Sequence, residues 1–500
     1  MTPIKRILLD STHFIEIRNS IRSRSVAWVA LARSSEISEI DASIAKKLET
    51  ILIKKKRAND EDYRMELENL DVTDEIMTSL IHLLANCENF DVLKSVQNLL
   101  AELLSCEYGT VAYKTINYFQ RNPDQLVELF NLTFNDDNSE KLFDIQMVLI
   151  SSFNVVSLLI QNDLRNDDLV KKLLNNENCL NILQNVERMD TCYITIRLLQ
   201  ELSIINSYKT IIWENESKIL PTIFQIIKRS IRSSPGNTSN MRNEPNTDSS
   251  VMINTNSNNL GIQLQYYSLL FVWLLTFNNK IASEIIKRYL NEFLNLLKII
   301  KVTIKEKISR ISVSIVLQCC EPQIRGSKEF IKNLILLGNG ITTLDNLIER
   351  KYSDEELKDD LIKLKEILDN EYRELTSFDE YIAELDSKLI VWSPPHIDSD
   401  FWINNIDKFK EHNWKLFEKL INLLSEFKDL NSGTKNDNVI IQILLNDITH
   451  VIDLLPEESI AVLNKLNGKV IIMELLNHND SRIKFEALKA TQAMIGYKFK

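Results

Sequence analysis

Apolar residues recur three and four positions apart along almost the whole chain, the period of an α-helix with one buried face. The stretch "LIHLLANCENFDVLKSVQNLLAELLS" (80–105) reads as two such helices joined at the polar elbow "NCENFD". Residues 169–205 repeat the plan, with Leu198, Leu199 and Leu202 closing one apolar stripe. In 301–318, Ile304, Ile308, Ile311 and Ile315 hold the helical spacing, while Lys305, Lys307 and Arg310 lie off it. Helix pairs recurring about every 40 residues match armadillo and HEAT arrays, where each pair buries its apolar face only against its neighbours. The sharpest unit is 467–496. There Met473, Leu475 and Leu476 are expected to face a core, "NHND" turns the chain, and Ala487, Leu488 and Ala490 pack closely. The expected fold is all-α, an armadillo/HEAT-like α-solenoid.

Three stretches break the pattern. Residues 233–259 are rich in Asn, Ser and Thr. They offer too little apolar surface to offset the entropy of ordering, so a disordered insertion is expected at about 233–255. The run Lys54–Arg57 in 54–75 reads as basic residues closing a helix. Residues 353–375 read as a charged helix with Leu357, Leu361, Leu364 and Leu368 on one face, and Ser353 as its cap. Thr376 or Ser377 then supplies a fresh N-cap. A cap after a long charged helix marks a hinge. The expected division is a large solenoid over 1–370, a connector at 371–377 and a smaller helical solenoid over 378–500.

Composition supports this reading. Glycine and proline number nine each in 500 residues, so hairpins and backbone phosphate cradles are scarce. A net charge of −11 opposes broad nucleic-acid binding, which needs a basic face. The six cysteines include no Cys-x-x-Cys pair and read as buried thiols in a reducing compartment, Cys319–Cys320 among them. The most apolar run, 269–275, is far shorter than a bilayer span. The arginines of the N-terminal stretch are interrupted by Asp10 and Glu16, unlike an organellar presequence. A cytoplasmic location is expected.

Catalytic motifs are missing from the sequence: it holds no P-loop, no Gly-x-Ser-x-Gly elbow and no His-Glu-x-x-His. The expectation is therefore no enzyme, no cofactor, no metal and no catalytic residue. None of the six tryptophans has asparagine four positions on, which weighs against the peptide ladder of importin-like armadillo proteins.

One combination is specific. Trp392-Ser393-Pro394-Pro395-His396, followed by Phe401-Trp402 and Asn405, is similar to the Trp-Ser-Pro-x-His…Phe-Trp-x-x-Asn pattern of the H subunit of the eukaryotic vacuolar-type (V-type) proton ATPase. Residues 10–34, 256–270, 351–357, 375–389, 445–457 and 486–497 also resemble that family, particularly its fungal forms. Asn467-Gly468-Lys469 departs from the family's Gly-Gly-Lys, but asparagine tolerates a left-handed turn.

The resemblance implies a non-catalytic regulatory subunit of the peripheral, ATP-hydrolysing sector, on the cytosolic face of the vacuolar membrane and not inserted in it. It implies support of hydrolysis coupled to proton transport in the assembled enzyme, and inhibition of hydrolysis when that sector detaches. The implied partners are the peripheral stalk, the cytosolic part of the large membrane-sector subunit and, in the detached state, the catalytic head and rotor. The loop Asp429, Leu430, Asn431, Ser432, Gly433, Thr434 and Lys435 is the candidate contact with a partner. The Trp392–Trp402 elbow reads chiefly as a packed rigid corner, with a docking surface as the other reading. Trp392 is expected to close a helix running from Phe378, with Pro394 and Pro395 forming a stiff extended link and Asp398 or Ser399 capping the next helix. The rival to the family reading is a free armadillo-type adaptor in trafficking or transport.

Overall fold

The structure, a computed structural model, describes residues 4–7, 9, 12–54, 60–134, 144–228, 231–233, 251–253, 259–429 and 435–496. They form helices almost throughout. Contacts divide the chain into two compact units, residues 1–327 with 352–357, and residues 328–351 with 358–500.

The first unit is a ladder of long helices. Phe90–Ser105, Ile145–Leu159, Met189–Ser203, Asn259–Thr276 and Glu306–Cys319 pack each on the next. Between successive rungs lie two shorter helices, as in Asp167–Asn175 and Glu177–Gln184 before Met189–Ser203. The repeat is thus a triplet where the apolar period suggested a pair. Short helices separated by a single residue, Asn176, merge into one periodic run on paper. Asn176 caps the second of them by accepting from Asn178 N and Cys179 N. The rungs are buried on several sides, which is why Leu198, Leu199 and Leu202 are all in the core. Ile308, Ile311 and Ile315 are buried as expected, but Ile304 precedes its helix and is exposed.

An N-terminal segment lies on this ladder. Lys5 and Gln161 exchange two hydrogen bonds, Lys5 N to Gln161 Oε1 at 3.1 Å and Gln161 Nε2 to Lys5 O at 2.6 Å. In the helix Thr12–Arg22, Arg18 and Arg22 both pair with buried Glu102. Burial pulls the Arg18 guanidinium down to about 10, still well above neutrality, so the pairing is ionic.

The expected insertion at 233–255 starts and ends on a two-stranded antiparallel pair, Ile231–Ser233 with Val251–Ile253. The pairing is in keeping with the extended preference of Ile and Val. Residues 234–250 and 254–258 lie outside the described residues.

The second unit begins with three helices, most of Ser327–Leu336, Gly340–Ile348 and most of Glu355–Leu375. Leu361, Leu364 and Leu368 are buried, as the stripe required. The cap of the third helix is Asp354, which accepts from Leu357 N, and Ser353 bonds Glu306 instead. Residues 371–377 close this helix and open the next, with Ser377 accepting from Glu380 N. An apolar cluster then runs from Phe378 to Met494 through the helices Phe378–Ser387, Ser399–Asp429, Lys435–Leu454, Pro456–Lys465, Gly468–Leu475 and Ser481–Gly496. Ser399–Asp429 is two helices meeting at a corner, since Glu411 is extended and His412, Asn413 and Trp414 are left-handed.

The Asn-Gly pair recurs. Asn339-Gly340 and Asn467-Gly468 each open a helix with the asparagine left-handed, at φ 48° and 57°. The following glycine is buried; a Cβ on Gly340 would stand 2.9 Å from the Leu334 carbonyl, and one on Gly468 3.2 Å from Ile421 Cγ2. Close approach requires glycine there. In 467–496, Leu475, Ala487 and Ala490 face the core, whereas Met473 and Leu488 are about half exposed, against expectation.

Candidate functional site

The elbow at 389–402 is built around a buried cation. The helix from Phe378 ends at Ser387 rather than at Trp392, because Lys388 takes a left-handed conformation at φ 59°. Leu389 is consequently out in solvent, off the stripe on which spacing placed it. The chain then runs extended to Ser393, whose φ of −81° and ψ of 164° suit a residue before proline. Pro394 and Pro395 do not prolong that extension. They form the first turn of a four-residue helix, Pro394–Ile397, where a missing N–H leaves nothing unpaired. Asp398 then accepts from Asp400 N and caps the following helix.

This turn pushes His396 fully inside. Its Nδ1 stands 2.8 Å from both oxygens of Asp447, and its Nε2 stands 3.0 Å from Glu384 Oε2. Asp447 is itself fully buried, on Lys435–Leu454. Tyr381 donates its hydroxyl to Asp447 at 3.0 Å, Ser393 donates to Glu384 at 2.8 Å, and Asn446 Nδ2 donates to the His396 carbonyl at 2.7 Å. The cluster ties together Phe378–Ser387, the Pro-Pro turn and Lys435–Leu454.

Burial alone lowers the His396 pKa, but the charge and hydrogen bond of Asp447, then those of Glu384, outweigh it and raise the group to about 9. The ring is therefore an imidazolium at neutral pH, donating from both nitrogens. With no lone pair free it can act neither as a base nor as a metal ligand. Desolvation and the Asp447 carboxylate push the Tyr381 hydroxyl well above its ordinary value, so it remains a donor. The chemistry of this cluster is cohesion.

A pH dependence follows. His396 is raised in the folded chain, so its pairing stabilises fully below the unfolded value of 6.5 and is lost as pH rises through about 9. His450, lowered mainly by burial, acts with the opposite sign on the acid side of its ordinary value. Urea midpoints taken at about pH 7 and about pH 9.5 should fall for the native chain, and His396→Gln should flatten that decline. Equal slopes for both chains would remove the charged histidine from the account.

Around the cluster lie the other residues of the pattern. Trp402 is fully buried, stacked on His450 at 5.1 Å and 12°, with Phe401 beside it at 5.5 Å. Trp392 is partly buried against the same core. Asn405 donates to the Phe401 carbonyl at 2.8 Å. Pro394 and Pro395 are buried. The structure thus brings Ser393, His396, Phe401 and Trp402 into one cluster with Tyr381, Glu384, Asn446 and Asp447, which sequence reasoning did not single out. Asp447 did leave a signal: it is a lone carboxylate in the apolar run "IIQILLNDITHVI" (440–452).

The candidate contact loop is the other site expected from the sequence. Leu430, Asn431, Ser432, Gly433 and Thr434 lie outside the described residues, as do the side chains of Asp429 and Lys435. Burial raises the Cys319 thiol well above its ordinary range and the Cys320 thiol to about 12, which disfavours the reactive thiolate. Among the described residues, no group of three or more His, Cys, Asp or Glu is placed to hold a metal ion, and no helix is long and apolar enough to cross a membrane.

Comparison with known proteins bears on the family resemblance. The chain is 30% identical over 247 residues to the V-type proton ATPase H subunit of Drosophila melanogaster, covering 49% of this chain and 50% of that one. It is 30% identical over 237 residues to the second of the probable V-type proton ATPase H subunits of Caenorhabditis elegans, 47% of each. Against the probable V-type proton ATPase H subunit of Oryza sativa subsp. japonica it is 26% identical over 249 residues, 50% of this chain and 51% of that one. The chain spans about half the length of the curated relatives it matches. Two profiles of the V-ATPase H subunit, one for its N-terminal and one for its C-terminal domain, match residues 12–368 and 374–499. With both domains matched in order over nearly all its length, the protein belongs to the V-ATPase H-subunit family.

Proposed function

We propose that the protein is a non-catalytic regulatory subunit of the peripheral sector of the vacuolar proton-pumping ATPase, on the cytosolic face of the vacuolar membrane. In the assembled enzyme it supports ATP hydrolysis coupled to proton transport. On the detached sector it inhibits hydrolysis by bridging stator and rotor. The observation that carries this reading is the two-domain family match over nearly the whole chain. The electrostatically locked elbow supports it: a bridge that blocks rotation must be stiff, and the buried His396 cluster stiffens the smaller solenoid.

The large solenoid anchors on the peripheral stalk. The smaller one docks either on the cytosolic part of the large membrane-sector subunit or on the catalytic head and rotor. Its occupancy of each is set by differential affinity. Residues 371–377 are the proposed connector, because the two family segments adjoin there and the C-terminal apolar cluster starts at Phe378. Movement at that point has to break the Lys332–Glu380 ion pair, 3.2 Å long and partly exposed. Such a pair contributes about 1 kcal/mol or less, so it alone does not lock a joint that lies inside the second compact unit. The loop 429–435 is the proposed contact with the blocked partner.

Adding the purified chain to the detached peripheral sector should lower magnesium-dependent ATP hydrolysis. A chain lacking 429–435 should still bind but inhibit less. Absence of both binding and inhibition by the intact chain would overturn the reading, and full inhibition by the deleted chain would remove the loop from it.

A further inference from the structure

The helix Ser481–Gly496 carries two apolar faces. Ile483, Ala487, Ala490 and Met494 are buried, and the helix packs on Lys435–Leu454 and Gly468–Leu475. A second series, Phe485, Leu488 and Ile495, is 59%, 48% and 55% exposed. These three lie on the side away from the buried residues, with the polar Ser481 and Gln492 on the same side. On the neighbouring helix Gly468–Leu475, Val470 and Met473, three apart, are also about half exposed.

Charge says what kind of helix would cover it. Residues 467–496 carry Lys469, Arg482, Lys484 and Lys489 against Glu474, Asp480 and Glu486, in a chain whose net charge is −11. The three acids are engaged: Glu474 with Lys428, Glu486 with Lys489, and Asp480 as the cap accepting from Arg482 N and Ile483 N. Among the described residues Lys469, Arg482 and Lys484 have no carboxylate partner. By helical spacing Lys484 borders one side of the stripe, while Arg482 and Lys489 border the other. Lys489 also lies over the Phe485 ring at 5.8 Å.

We propose that this face is a docking site for an amphipathic helix of another protein, with a leucine-rich apolar stripe and acidic flanks. The helix stacks on Ser481–Gly496 much as Lys435–Leu454 does on the opposite side. The apolar stripe supplies affinity and the lysine and arginine borders supply orientation and partner choice. The proposal does not depend on which assembly the chain serves.

The test uses the full chain and two synthetic amphipathic peptides of about 18 residues with identical leucine stripes, one flanked by glutamate and one by lysine. Fluorescence anisotropy should show the glutamate peptide binding at least about tenfold tighter. Hydrogen exchange should show protection concentrated in 467–496. Phe485→Ser with Leu488→Ser, both at exposed positions, should abolish binding with the circular dichroism unchanged. Lys484→Glu with Lys489→Glu should invert the preference. Equal binding of both peptides, binding of neither, or protection elsewhere overturns the proposal. So does sedimentation showing that the chain covers this face with a second copy of itself.

Discussion

Asp447→Ala should destabilise the smaller solenoid by about 3–5 kcal/mol, the cost of breaking a buried ion pair from one side. The carboxylate is fully buried and accepts from His396 at 2.8 Å and Tyr381 at 3.0 Å. Its removal leaves an imidazolium facing only Glu384 and a tyrosine hydroxyl with no acceptor, deep in an apolar cluster. The unpaired groups, more than the lost attraction, set the size of the effect. Asp447→Asn separates the two contributions. It keeps an acceptor near His396 and Tyr381 but no charge, so it should cost less than alanine and should lower the His396 pKa. Urea unfolding gives the energy, and hydrogen exchange over 378–494 shows whether the loss is confined to the smaller solenoid. An alanine variant within about 0.5 kcal/mol of the native chain would mean that the cluster does not hold the elbow together.

Much of this architecture was legible in the sequence, for a specific reason. Helices that bury one stripe against neighbours leave a three-four period, and Leu361, Leu364 and Leu368 are inside as that period requires. Triplets pass for pairs in the sequence because short helices joined at one capping residue, Asn176, keep the periodicity almost unbroken. Exposed apolar residues mislead for a related reason. Met473 and Leu488 hold helical spacing, but spacing alone does not say whether a second face is covered. The elbow's residues stood out in the sequence, whereas their purpose did not. His396 meets Asp447 across 51 positions of chain, and a contact so distant in sequence leaves no local period. The extended link expected at Pro394 and Pro395 rests on the restriction proline puts on the preceding residue. Helix initiation, which proline's fixed φ also suits, prevailed once Ser393 was extended and His396 had two carboxylates to reach.

Trp402→Ala should cost about 3–5 kcal/mol, while Trp392→Ala should cost about 1–2 kcal/mol. The difference follows from where the two rings lie. Trp402 has no exposed surface and touches Tyr381, Phe401, Phe409 and His450, with ring centroids 5.7, 5.5, 5.3 and 5.1 Å away. Alanine there opens a cavity among rings already held by the His396 cluster, which cannot collapse to fill it. Trp402→Phe should be milder, because the indole N–H has no acceptor among the described residues and phenylalanine sacrifices volume alone. Trp392 lies at the margin of the cluster, next to exposed Leu389 and Val391. Its substitution therefore separates the two meanings of the elbow. If the elbow is a packed corner, Trp392→Ala lowers the urea midpoint slightly and leaves the proposed inhibition of the detached ATPase sector intact. If inhibition disappears while the midpoint holds, Trp392 meets a partner directly, and the corner is a docking surface as well as a brace.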